Sequence, residues 1–162
     1  MKEIQGSIWI HYCVPGHFIC LTTNGVVKKN GEAVMGRGNA KQATLVLPGI
    51  ALMLGNYLKS NGNHAGFLPL PENDSGLIIF PVKQVWWEKA DLDLIRESAR
   101  WLEIEAHLNP GNVYHLPRPG CGNGQRDYQS EVKPLLINLP DNVWVHHILL
   151  EELSTIPLHS RA

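Results

Sequence analysis

Three stretches of this 162-residue chain carry residue types and spacings that could do chemistry. Two are glycine loops, MGRGNA at 35–40 and PGCGNG at 119–124, each following an apolar run and leading into a helix-like one. Glycine reaches positive φ at little cost and lets a ligand approach the backbone. A helix N-terminus adds unpaired N–H groups and a partial positive charge, which seat an anion. Two such seats at the carboxyl ends of parallel strands would hold the two phosphates of a diphosphate. Neither loop is a dinucleotide fingerprint or a P-loop: Gly36 and Gly38 lack the third glycine, and no Gly-Lys-Ser/Thr occurs. The competing reading is a pair of tight connections whose glycines serve geometry alone.

The third stretch, LIIFPVKQVWWEK at 77–89, sets Lys83 at the end of a very apolar strand. Apolar surroundings disfavour the ammonium form, and a neutral amine attacks aldehydes and anomeric carbons. Alternatively Lys83 snorkels to solvent. Trp86 and Trp87 either fill core or stack at a cleft edge on a base or ribose. Asp127, just past the second loop, is either a helix N-cap or a general acid/base. Cys121 reads as a small residue in a tight loop, since no histidine or carboxylate is tied to it by spacing. The eight histidines show no metal signature. His146 and His147 are adjacent and point to opposite faces of a strand, while His11, His17, His64, His107 and His115 stand alone; no metal is expected.

These residues need elements to hold them. Apolar runs predict strands at 3–10, 17–23, 64–70, 76–82, 112–116 and 142–149, with a PENDSG turn between the third and fourth. Helices are predicted from about Asn39 to Val46, from Pro48 to Asn61-Gly62, at 91–107 and at 128–138. In the third, Leu92, Ile95, Ala99, Leu102 and Ala106 form one apolar face, and Asp91 and Asp93 suit its positive end. Alternating strands and helices imply an α/β fold with a mainly parallel sheet covered on both faces.

Composition bounds the rest. Apolar residues make up 44% and charged ones 18% of the chain, enough for one domain over 1–162 with a core of its own. Residues from about 150 onward show no pattern and read as a loose tail. A formal charge of −1 gives no global pull toward nucleic acid or membranes. Lys28, Lys29, Arg37, Lys41 and Arg118 are either a local patch that meets a nucleic acid or a solvated face. Three cysteines without CxxC spacing suit a reducing compartment. No secretory or membrane-spanning run occurs, so a cytoplasmic location is expected.

In order, GSIWI, TNGVVKKNGEAVMGRGNAKQA, LIIFPVKQVWWEKADLDLIRESA and HLPRPGCGNGQRDYQSEVKPLL resemble the macro domain family over roughly residues 4–147. Within it, the FPxKxxW segment and the helix after it look like the ADP-ribosyl glycohydrolase branch. That branch takes in terminal ADP-ribose protein glycohydrolase and the antitoxin macro domains that remove ADP-ribose from DNA; similar small domains occur in bacteriophages, which would place such a protein in the host cytoplasm. The resemblance implies a three-layer α/β/α sandwich with a mixed, mainly parallel central sheet and an ADP-ribose cleft across its strand ends.

Carried over by position, Gly36, Arg37, Gly38, Asn39 and Ala40 would wrap the distal ribose and one phosphate. Gly120, Cys121, Gly122, Asn123, Gly124 and Gln125 would hold the second phosphate, with Asn24 near the distal ribose and Trp86 at the cleft edge. Ser7 and Ile8 match the family's Asp-Ile at the adenine, with serine lacking the aspartate's charge. Lys83 matches the branch's catalytic lysine, which in one mechanism forms a lysyl-ADP-ribose intermediate. Asp127 is the nearest counterpart of its acid/base aspartate, in NGQRDY where relatives often read Gly-Leu-Asp-Trp. The expected activity is hydrolysis of ADP-ribose from modified protein or nucleic acid, without cofactor, metal or membrane partner. The alternatives are an ADP-ribose-1″-phosphate phosphatase and a non-catalytic ADP-ribose reader or nucleotide sink.

Overall fold

A computed structural model describes residues 1–70 and 76–147. Its strands are β1 (Lys2–Gln5), β2 (His17–Asn24), β3 (Gly66–Leu68), β4 (Leu77–Lys83), β5 (Val113–Pro117) and β6 (Val143–His147). They form one sheet in the order β1-β6-β5-β2-β4-β3, parallel throughout except for the antiparallel edge strand β3. Helices α1 (Gly38–Val46) and α2 (Ile50–Asn61) cover one face; α3 (Leu92–Leu108) and the short α4 (Lys133–Leu136) cover the other. The result is the three-layer α/β/α sandwich with a mixed, mainly parallel sheet.

Side-chain alternation divides the core between the two faces. Ile19, Leu21, Leu77 and Ile79 are buried against α1 and α2, with Val46, Ile50 and Leu54. Cys20, Ile78 and Phe80 point the other way, against Ile95, Ala99 and Leu102 of α3. Burial on both faces is why β2 and β4 read as unbroken apolar runs. Asp91 caps α3, its Oδ1 accepting from the Asp93 and Leu94 amides at 3.0 and 3.2 Å.

The amino-terminal strand is shorter than the sequence predicts. β1 ends at Gln5, Gly6 turns with φ +115°, and Ile8–His11 make one 3₁₀ turn. Ser7 starts that turn by accepting the Trp9 amide at 3.2 Å, and Ile8 and Trp9 drop into the α1–α2 core. Short-range side-chain capping thus overrides a β-like composition. The predicted helix at 128–138 is a π turn, Tyr128–Val132, running into α4. The PENDSG turn (all but Gly76), the end of the last strand and the tail lie outside the described residues. No helix among the described residues is long and apolar enough to cross a membrane.

Candidate functional site

A cleft of about 580 Å³ opens at the carboxyl ends of β2, β4, β5 and β6. The sheet contributes Thr22, Thr23, Asn24, Val82, Lys83, Pro117, His146 and His147 to its walls. The first glycine loop contributes Gly36 through Ala40, and the second Gly120 through Gly124. The two loops approach each other: a methyl group placed on Gly38 would lie 3.8 Å from the Asn123 side-chain amide.

Local constraints shape each loop. Gly38, with φ +64°, opens α1 directly. The Asn39 side chain, at the cleft wall, is engaged with β2. Its Oδ1 accepts from the Thr22 amide and hydroxyl, and its Nδ2 donates to the Cys20 carbonyl at 2.7 Å, clamping α1 to β2. In the second loop, a Cβ on Gly120 would come within 2.8 Å of Ala90 and 2.9 Å of Ile95. One on Gly124 would meet the Gly120 carbonyl oxygen at 2.4 Å. Gln125, Arg126 and Asp127 separate this loop from the π turn that stands where the helix is expected to begin, so no regular helix starts directly behind its amides.

Lys83 stands where the two loops meet the sheet. β2 and β4 pair in register as far as Thr23 with Pro81; the pairing then skips Val82 and sets Lys83 beside Asn24. Such a bulge re-aims the strand end. The Asn63 side-chain amide donates to the Lys83 carbonyl at 3.0 Å and fixes its backbone. The Lys83 amine donates to the carbonyls of Trp86 (3.2 Å) and Asn123 (3.1 Å), the latter in the second glycine loop. Partial burial, helped by the charge of Arg37, lowers its pKa. It is neither a core lysine nor one that snorkels free. Trp86 and Trp87 are 51% and 63% exposed, so neither fills core, and Trp86 borders the cleft.

Asp127 also lines the cleft and does the capping the sequence allows. Its Oδ2 accepts from the Ser130 amide at 2.9 Å and hydroxyl at 2.6 Å, and these bonds hold its pKa below the ordinary value. Such a carboxylate is ionised at neutral pH, so it can act as a base, though a weak one, and has no proton to give. The Cys121 thiol is pushed up to about 11 by burial and points at the Pro119 carbonyl, which suits a packing residue rather than a nucleophile. Asn24 borders the cleft, but its side chain is engaged with the Val34 carbonyl and the Val26 amide, holding the β2–α1 loop.

Three expected ligand residues do not line the cleft. Ser7 caps the 3₁₀ turn, Ile8 is buried, and Gln125 (φ +60°) closes the second loop with its amide on the Gly122 carbonyl at 3.1 Å. Conversely, Gln42 of α1, Arg118, Arg126 and Tyr128 line the cleft, and none of them is singled out by the sequence as a ligand residue.

A histidine cluster is equally invisible in the sequence, because its members come from four segments. His17 Nδ1 lies 2.8 Å from His115 Nε2, His115 Nδ1 lies 2.9 Å from His146 Nε2, and His146 Nδ1 lies 3.0 Å from the Gly6 carbonyl. A carbonyl only accepts, so His146 donates to it, His115 donates to His146 and His17 to His115. Ring nitrogens of His11, His115 and His146 fall within 4.8 Å of one another. Yet the His11 and His115 rings are stacked, 3.9 Å apart and 9° from parallel. A metal must lie in the plane of each imidazole it binds, and stacked planes do not converge, so this arrangement fits an ion poorly.

No family model matches the chain, and no curated protein matches it. Among solved structures it is similar to the macrodomain of Mycobacterium tuberculosis DarG, at 20% identity over 90% of this chain and 95% of that one, with TM-score 0.69. It is similar to the macrodomain of Thermus aquaticus DarG at 22% identity, covering 90% and 97%, TM-score 0.69. A third, Thermosipho africanus DarTG in complex with ADP-ribose, matches at 18% identity and TM-score 0.72 over 99% of this chain; the chain spans 44% of that one's length. The likeness is one of fold: this chain has the macro domain fold.

Proposed function

We propose that the protein binds ADP-ribose in this cleft and hydrolyses the bond between the distal ribose and a modified protein or nucleic acid. One observation carries the reading: a lysine amine stands in a cleft walled by two glycine loops, in contact with one of them. The ADP-ribose in a structurally similar protein supports the choice of ligand. The diphosphate lies between the loops, and the distal ribose is delivered to Lys83, so that binding becomes orientation. The amine, once deprotonated, attacks the anomeric carbon as the bond to the target carboxylate or base breaks. The leaving group departs with the bonding pair, a carboxylate as its anion and a base by taking a proton from the new secondary ammonium. Asp127 then draws a proton from the water that attacks the same carbon and returns it to the departing lysine nitrogen, releasing ADP-ribose.

The test is incubation with ADP-ribosylated protein and ADP-ribosylated single-stranded DNA, following loss of label from each. Lys83→Ala should lower release by at least about 10²-fold, as loss of a reacting group does, while ADP-ribose binding persists. Full activity in that variant removes Lys83 from the mechanism. Tight binding without turnover in the wild type points to a reader. Phosphate release from ADP-ribose-1″-phosphate alone points to a phosphatase.

A further inference from the structure

The cleft is lined by four permanently cationic or basic side chains, Arg37, Lys83, Arg118 and Arg126, against one carboxylate, Asp127. Arg126 is committed within the protein: its Nε donates to the Ala90 carbonyl at 2.8 Å and its Nη1 pairs with Glu131 at 3.3 Å. Lys83 donates to two carbonyls. Arg118 is different. Among the described residues its guanidinium makes no hydrogen bond or ion pair, and it lies 4.0 Å over the ring of Tyr128.

That ring is itself fixed. Tyr128 is buried, and its hydroxyl donates to Glu3 Oε1 at 2.6 Å across from β1. Glu3 is the carboxylate that would otherwise draw Arg118 away, but Lys133 pairs with it at 3.2 Å. The tyrosine and the lysine together occupy Glu3. A guanidinium held over an aromatic face by cation–π attraction keeps its N–H donors available to a ligand's oxygens. Here Arg118 borders the cleft two residues before Gly120, whose loop supplies backbone amides.

We propose that Arg118 is the charged clamp of the diphosphate, binding phosphoryl oxygens through the N–H edge that Tyr128 holds in place. This rests on the cleft being the ADP-ribose site and adds a side chain to a grip otherwise made of main-chain amides. A planar fork reads paired oxygens; a lysine in its place supplies charge without the fork or the stacking. Tyr128 acts through Arg118 as a positioning residue, and Glu3 through Tyr128.

The experiment is calorimetric titration of wild type, Arg118→Ala, Arg118→Gln and Arg118→Lys with ADP-ribose, adenosine and inorganic pyrophosphate, at low and high salt, with a melting curve for each protein. The alanine and glutamine variants should weaken ADP-ribose at least about tenfold, with the lysine variant intermediate and melting temperatures close to wild type. Adenosine affinity should not change, and the salt dependence of ADP-ribose binding should become shallower. In turnover, KM should rise in step with Kd while kcat moves less. ADP-ribose binding within twofold of wild type in Arg118→Gln overturns the proposal. So does an equal loss for adenosine, which marks a structural role. If wild type binds pyrophosphate in an Arg118-dependent way but not ADP-ribose, the ligand reading fails and the clamp stands. If it binds neither, both fail.

Discussion

Asp127 has two tasks that substitution can separate. It holds the Ser130 amide and hydroxyl, and its own amide donates to Glu131 at 2.8 Å, so it starts the π turn as well as bordering the cleft. Serine caps helical turns nearly as well as aspartate but has no carboxylate. Asp127→Ser should therefore keep the melting temperature within a few degrees and lower hydrolysis about 10²-fold or more; unchanged turnover would leave Asp127 a cap only. Cys121 makes the opposite forecast. With its thiol held near 11 by burial, Cys121→Ser should retain turnover within about threefold, and iodoacetamide should label wild-type Cys121 slowly at pH 7.5. Lys83 is legible as a lysine at an apolar strand end, because an unpaired cation at the end of such a run is chemically conspicuous. That its amine meets the Asn123 carbonyl, forty positions along the chain, is not, since only the folded β4 and second loop bring the two together.

At the scale of elements, the glycines divide by what surrounds them. A methyl group added to Gly36 would find nothing within 4 Å, its φ is ordinary, and yet it borders the cleft. Gly36→Ala should leave the melting temperature unchanged while weakening ADP-ribose, because the methyl enters ligand space. Gly120 is hemmed in by Ala90 and Ile95 and has φ +73°. Gly120→Ala should lower the melting temperature by several degrees, as strain and overpacking of about 1–3 kcal/mol imply, and weaken the ligand with it. Circular dichroism melts beside titrations would check both. If Gly36→Ala binds normally, that loop is a connection and no more. The spans of α1 and α2 are readable from Pro48 and the Asn61-Gly62 stop, and that of α3 from its periodicity and acidic cap, since those signals are local. The 3₁₀ turn at Ile8–His11 is not, because IWI satisfies a strand pattern and a buried turn alike.

For the molecule as a whole, the histidine cluster links the sheet to the amino-terminal turn and carries a pH dependence. Burial, reinforced by neighbouring imidazoles, lowers His115 to about 2, and burial lowers His146 to about 4. His11, stacked on His115 and edge-on to Trp144, is lowered too. Unfolded, each titrates near 6.5. Below that pH the unfolded chain binds protons that the folded one refuses, so stability is full above about 6.5 and falls as pH drops toward 4. Denaturant midpoints should decline across that interval, and His146→Gln should flatten the decline. An unchanged slope in that variant would mean that other groups set it. The sequence by itself determined the alternation of strand and helix, the two glycine loops, the conspicuous lysine and a resemblance to macro domains, because each is written in neighbouring residues. Only the tertiary structure decided that Ser7 caps a 3₁₀ turn, that Arg118 lies over Tyr128 and that four histidines join. Those contacts depend on strand order, and strand order is set by how two sheet faces bury their side chains together, a condition no local stretch contains.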